Sequence, residues 1–107
     1  MIVIKITIQN SKYFSLNMVG HADYNPGNDI VCSAVSTLNQ TFIHLISEMG
    51  YSDIISKDGL VEVKGKCKKG IKHYLKFIIT GYSGLANAYP DNVRLEVIDK
   101  RKWFKYK

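Results

Sequence analysis

At 107 residues the chain has the length of one domain with a single, modest hydrophobic core that a dimer contact would supplement. Its 46% apolar and 22% charged residues exclude a disordered or fibrous protein. The net charge of +6 gathers between residues 64 and 72 and in the run Lys100-Arg-Lys-Trp-Phe-Lys-Tyr-Lys. It serves solubility or draws an RNA-rich partner through its phosphates.

No apolar run approaches the ~18–20 residues that span a bilayer, so no membrane is expected. The start, Met1-Ile-Val-Ile-Lys-Ile-Thr-Ile, lacks a basic leader and a small-residue cleavage site, and reads as a strand rather than a signal peptide. Two cysteines are fewer than a disulfide framework uses. The expectation is a reducing cytoplasm with Cys32 and Cys67 as thiols.

Ile4, Ile6 and Ile8 alternate with Lys5, Thr7 and Gln9, which predicts a half-buried strand over residues 2–9. Asn10-Ser11-Lys12 turns the chain, and residues 13–19 return as the second strand of a hairpin that Gly20 ends. Residues 21–29 form a loop in which Pro26-Gly27 suits the centre of a type II turn. Asp29 is a good helix N-cap. Behind it Val31, Val35, Leu38, Phe42, Leu45 and Met49 predict an amphipathic helix that Gly50 stops.

Residues 53–56 and 60–65 predict two strands joined across Lys57-Asp58-Gly59. Ile71, Leu75, Ile78, Tyr82, Leu85 and Tyr89 predict a second long helix, in which Gly81 and Gly84 permit close helix approach. Pro90 ends it and residues 93–98 alternate as a last strand. The order β-β-α-β-β-α-β predicts an α+β fold, a mainly antiparallel sheet with two helices packed on one face. One domain spans residues 1–107, with 99–107 as a basic tail that is flexible or extends the last strand.

The chemistry lies between Gly20 and Ser36. With Asp29 as cap, Cys32 is the third helical residue, where amides lack intrahelical partners and the positive end of the dipole is focused. Both favour a thiolate, as does a nearby histidine. Cys32 stands about 100° around the helix from Val31, at the edge of the core stripe, on a face shared with Ser36, Asn39 and Ile43. His21 follows the second strand directly, on a loop long enough to fold back over the helix start. The pair would act as nucleophile and general base, with amides at the helix start, that of Cys32 among them, stabilising the oxyanion. The ordinary alternatives are a small buried cysteine and a surface histidine. A zinc site of His21, Cys32, Cys67 and His44 or His73 lacks the usual ligand spacing. His44 and His73 read as structural or exposed, and Cys67 as incidental.

The segment Gly20-His-Ala-Asp-Tyr-Asn-Pro-Gly-Asn-Asp-Ile-Val-Cys-Ser-Ala-Val-Ser36 resembles the signature of the ribosomal-processing cysteine protease (Prp) family, a G-H-A followed by D-I-V-C-A-x-x-S. The resemblance extends more weakly to the hairpin start and to Tyr89-Pro-Asp-Asn-Val-Arg-Leu. It implies a homodimeric cysteine endopeptidase that needs no cofactor and removes an N-terminal extension from ribosomal protein L27. By position, it assigns His21 and Cys32 as catalytic and places Gly20, Asp29 and Ser36 in the motif. The interval from His21 to Cys32 is one residue short of the family's usual spacing, and Ser33 replaces the usual alanine.

Asp29 either orients His21 as a third catalytic member or only caps the helix. Ser36 bonds loop or substrate, or merely the helix backbone. Gly20 gives a substrate backbone room to approach. Two rivals remain: a non-enzymatic ribosome- or RNA-binding module using Trp103, Phe104 and Tyr106 of the tail, and a redox sensor built on Cys32.

Overall fold

A computed structural model describes residues 1–9 and 12–100. The predicted order holds: β1 (Ile2–Gln9), β2 (Tyr13–Val19), α1 (Ile30–Glu48), β3 (Ile54–Lys57), β4 (Leu60–Lys66), α2 (Ile71–Ala88) and β5 (Val93–Asp99). The five strands form one sheet in the order β3-β4-β2-β1-β5. Every pairing is antiparallel except β1 with β5, which α2 joins as a parallel neighbour.

The period of two in β1 decides which side of the sheet is covered. Ile2, Ile4, Ile6 and Ile8 are all buried, and Ile4 stands opposite Met18 on one side and Leu95 on the other. Leu16, Val61, Val63 and Val93 continue this apolar face, and both helices lie on it. Burying each such side chain contributes roughly 1.5–3 kcal/mol. The strand β5 runs one residue past the predicted end, and the Lys100 amide adds a bond to the Ile8 carbonyl. The aromatic tail at 101–107 lies outside the described residues.

The stripe of α1 is rotated slightly from the predicted one. Fully buried are Val31, Val35, Asn39, Phe42 and Ile46, while Leu38, Leu45 and Met49 are only half-buried. Two layers explain the shift. One line of residues faces the sheet, and Leu38 turns aside to meet α2. Asn39 occupies the buried line because its amide is satisfied: Tyr82 Oη donates to its Oδ1, and its Nδ2 donates to Met18 Sδ at 3.1 Å. Burial pushes the Tyr82 hydroxyl pKa far up, so it stays a donor. By length and composition α1 is long and apolar enough to cross a membrane, unlike the reading from uninterrupted apolar runs; its apolar line packs on the sheet.

The two glycines of α2 differ. A Cβ at Gly81 would stand 2.9 Å from the Leu38 side chain, whereas one at Gly84 would meet nothing within 4 Å. Gly81 is where the helices close together, and Gly84 only loosens α2. Gly81→Val is therefore expected to lose about 1–3 kcal/mol in urea unfolding by overpacking. Gly84→Ala is expected to gain about 0.5–1 kcal/mol from helix entropy. Equal effects at the two positions would contradict this packing.

Candidate active site

The loop between β2 and α1 is built from the turn chemistry its sequence carries. Asn28 N–H bonds the Asn25 carbonyl at 3.0 Å across Pro26-Gly27, and Gly27 takes φ +90, as a type II turn requires. Asp29 follows with extended backbone as the N-cap. Its Oδ1 accepts the amides of Val31 at 3.0 Å and Cys32 at 2.9 Å. Its Oδ2 reaches back to the amides of Tyr24 at 2.9 Å and Asn25 at 3.3 Å. One carboxylate thus fastens the loop to the first turn of α1.

One alternative is decided here and one expectation changes. Asp29 is spent on backbone amides and is a cap; His21 is not among its partners. The Cys32 amide, expected to be available for an oxyanion, is engaged by Asp29, and the Ser33 amide donates to the Asp29 carbonyl at 3.1 Å. Desolvation pushes the Asp29 carboxyl up, but its four amide bonds outweigh that and hold its pKa below 3.8.

Cys32 is half-buried at the start of α1, and both cysteines are reduced. Its sulfur accepts a hydrogen bond from the Ala22 amide at 3.2 Å. The Ala22 peptide is fixed from the other side as well, because Asn92 Nδ2 donates to its carbonyl at 2.9 Å. Ala22 is buried, and Tyr24 packs edge-on against Tyr89 at the end of α2 with ring centroids 5.3 Å apart. The backbone that bears His21 is thereby pinned against the sulfur.

His21 itself is exposed and lies over the β3–β4 turn. Its Nε2 is 3.0 Å from where a Cβ on Gly59 would be, and the Gly59 carbonyl accepts the Gly20 amide at 3.0 Å. Gly20 is indispensable for a reason other than substrate approach. With φ +99, its would-be Cβ is 2.3 Å from the carbonyl oxygen of Met1, so the close neighbour is the chain's own first strand.

His21 and Cys32 line one cavity of about 480 Å³. Its buried end is apolar, with Met18, Val35 and Val61 beside the amide of Asn39. Its rim carries Ser33, Ser36, Gln40, Ser56 and Asp58. Ser36 is exposed on that rim; Ser33 bonds the carbonyl of the cap Asp29, and Thr37 and Thr41 bond carbonyls one turn back in α1. His44 and His73 stand exposed on the helices, and His44 lines a separate shallow groove along α1. Gly59, Ala22 and Asn92 were not legible as site residues. Gly59 read only as a turn signal, and Ala22 acts through its peptide group and Asn92 through its side-chain amide, brought together by the fold.

A sulfur at a helix start, hydrogen-bonded and open to a cavity with an imidazole on its wall, is the equipment of a thiol hydrolase. Residues 1–94 match the model of the family described as cysteine protease Prp, and the chain belongs to that family. It is a cysteine protease. Its fold is similar to that of the ribosomal processing protease Prp from S. aureus with a covalently linked product peptide (TM-score 0.79, 24% identity, 91% of this chain and 99% of that one). A second structure of the S. aureus protease, with a substrate peptide, gives 0.74 at 23% identity over 91% and 99%. SMU.848 from Streptococcus mutans gives 0.72 at 22% over 94% and 96%. No curated protein matches the chain.

Because its folded pKa is depressed, the Asp29 carboxylate stabilises the fold fully above 3.8 and loses that effect as pH falls through its lower folded value. Asp29→Ala should therefore melt below the parent at neutral pH, with the charge-dependent gap shrinking in melts below 3.8. A gap independent of pH would mean the cap is not ionic. Gly59→Ala should lower kcat/KM by on the order of 10- to 100-fold through displacement of the imidazole. An unaffected kcat/KM would show that the imidazole does not work from that position.

Proposed function

We propose that this protein is a cytoplasmic, homodimeric cysteine endopeptidase that removes an N-terminal extension from ribosomal protein L27. Cys32 is its nucleophile and His21 its general base and acid. The observation that carries the mechanism is the bond from the Ala22 amide to Cys32 Sγ, which holds the residue next to His21 against the sulfur. The similarity to the S. aureus ribosomal processing protease, seen with bound substrate and product peptides, supports the choice of substrate.

The thiolate attacks the scissile carbonyl carbon, and the carbonyl π electrons move to oxygen. With the Cys32 amide engaged by Asp29, the Ala22 amide is the group close enough to turn from sulfur to oxyanion once the C–S bond has formed. His21 gives its proton to the leaving amine as the C–N bond breaks. It then takes a proton from water, which hydrolyses the thioester and restores the thiolate. Asp29 fixes the helix start and the loop throughout, and Ser36 on the rim is placed to hydrogen-bond the peptide backbone.

The L27 precursor of the same organism, incubated with the protein, should gain one new N-terminus close to the start of the folded L27 domain, mapped by mass spectrometry. Cys32→Ala and His21→Ala should each reduce the rate by roughly 10³-fold or more. Processing that survives Cys32→Ala would overturn the mechanism, and an intact precursor beside cleavage of other peptides would overturn the substrate.

A further inference from the structure

Among the described residues the helices cover one side of the sheet and nothing covers the other. On that open side the strand register sets two cross-strand rows at the end remote from Cys32. One is Thr7–Ser15–Lys64 and the other Gln9–Tyr13–Lys66. Five of these residues, Thr7, Gln9, Tyr13, Ser15 and Lys64, line a cleft of about 250 Å³. Tyr13 is 51% exposed, so its ring is a large aromatic surface left without cover.

The charge around this cleft is one-sided. The Cys67 amide donates to the Lys12 carbonyl at 2.8 Å, which draws the β1–β2 turn against the segment bearing Lys66, Lys68 and Lys69. Lys68 is occupied, with its Nζ on the Met49 carbonyl at 3.2 Å and over the Tyr51 ring. Lys12, Lys64, Lys66 and Lys69 are exposed and make no ion pair among the described residues. Among the described residues no carboxylate lines the cleft; Glu62 and Glu96 stand in the next cross-strand row, opposite Asn17 and Lys5. The site end carries Asp23, Asp29, Asp58 and Asp91 together with Arg94 and with Lys57, which lines the cavity. The cleft end thus carries an excess of exposed cations.

We propose that this face binds single-stranded RNA, with phosphates held by Lys12, Lys64, Lys66 and Lys69 and a base stacked on Tyr13. Lysines supply charge without sequence preference, an open aromatic face stacks any base, and Thr7, Ser15 and Gln9 offer hydrogen bonds to sugar and base edges. Six residues of β2 separate Tyr13 from Val19, about 20 Å at strand rise, so bound RNA leaves the peptidase cavity open. The surface would tether the enzyme to an RNA-rich assembly while its site works on a peptide, and it does not rest on which peptide that is.

Fluorescence anisotropy of a labelled single-stranded RNA 12-mer with the full chain tests this. Four phosphate contacts predict a slope of log K against log salt of about −3. Lys64→Glu/Lys66→Glu/Lys69→Glu should weaken binding at least tenfold and flatten the slope, and Tyr13→Ala should weaken it about tenfold with the slope kept. Both variants should cleave a short peptide at the parent rate. Absence of binding by the parent at low salt would overturn the proposal. So would binding undiminished in both variants, which would place it on residues 101–107 instead.

Discussion

The site depends on the carboxylate of Asp29, which accepts amides from both directions along the chain. Two bonds complete the first turn of the helix that carries Cys32. Two more hold the descending loop that begins with the histidine. Without them the loop would retain its turn at Pro26-Gly27 but lose its attachment to the helix start, and the geometry between imidazole and sulfur would become an ensemble. A negative charge beside a thiolate opposes its formation in principle. Here that charge is spread over four backbone donors, while the sulfur has a donor of its own in Ala22.

The rest of the fold supplies the anchors for that knot. The end of α2 contributes Tyr89 against Tyr24, and the following turn contributes Asn92 to the Ala22 carbonyl. The β3–β4 turn comes up beneath the imidazole, tied to Gly20 through the Gly59 carbonyl. The Met1 carbonyl, just before β1, lies so close to Gly20 that no side chain fits there. Three segments distant in sequence therefore converge on residues 20–24, and the sheet order β3-β4-β2-β1-β5 makes that convergence possible.

Much of this was legible from residues alone, for identifiable reasons. The β1 alternation and the α2 periodicity are strong because each element buries one face, so all seven elements were found in order. Asp29 as a cap and Pro26-Gly27 as a turn follow from local backbone chemistry and needed no tertiary information. The phase of α1 was misjudged at Asn39, because a buried amide looks polar until its partners Tyr82 and Met18 are known. The Cys32 amide was expected to be available although the same reading had made Asp29 its cap, and one donor cannot fully serve both. Gly59 and Asn92 were invisible as site residues, since their roles arise from contacts across 38 and 70 positions of chain.

In the proposed mechanism Cys32, and not merely any thiol on this protein, is poised by the loop that carries His21. A peptide bearing an electrophilic carbon at the scissile position tests this most directly, with the labelled residue mapped by digestion and mass spectrometry. The prediction is adduct formation on Cys32 alone, slowed severely in His21→Ala. Labelling of Cys67 at a comparable rate, or an unchanged rate without the imidazole, would contradict it.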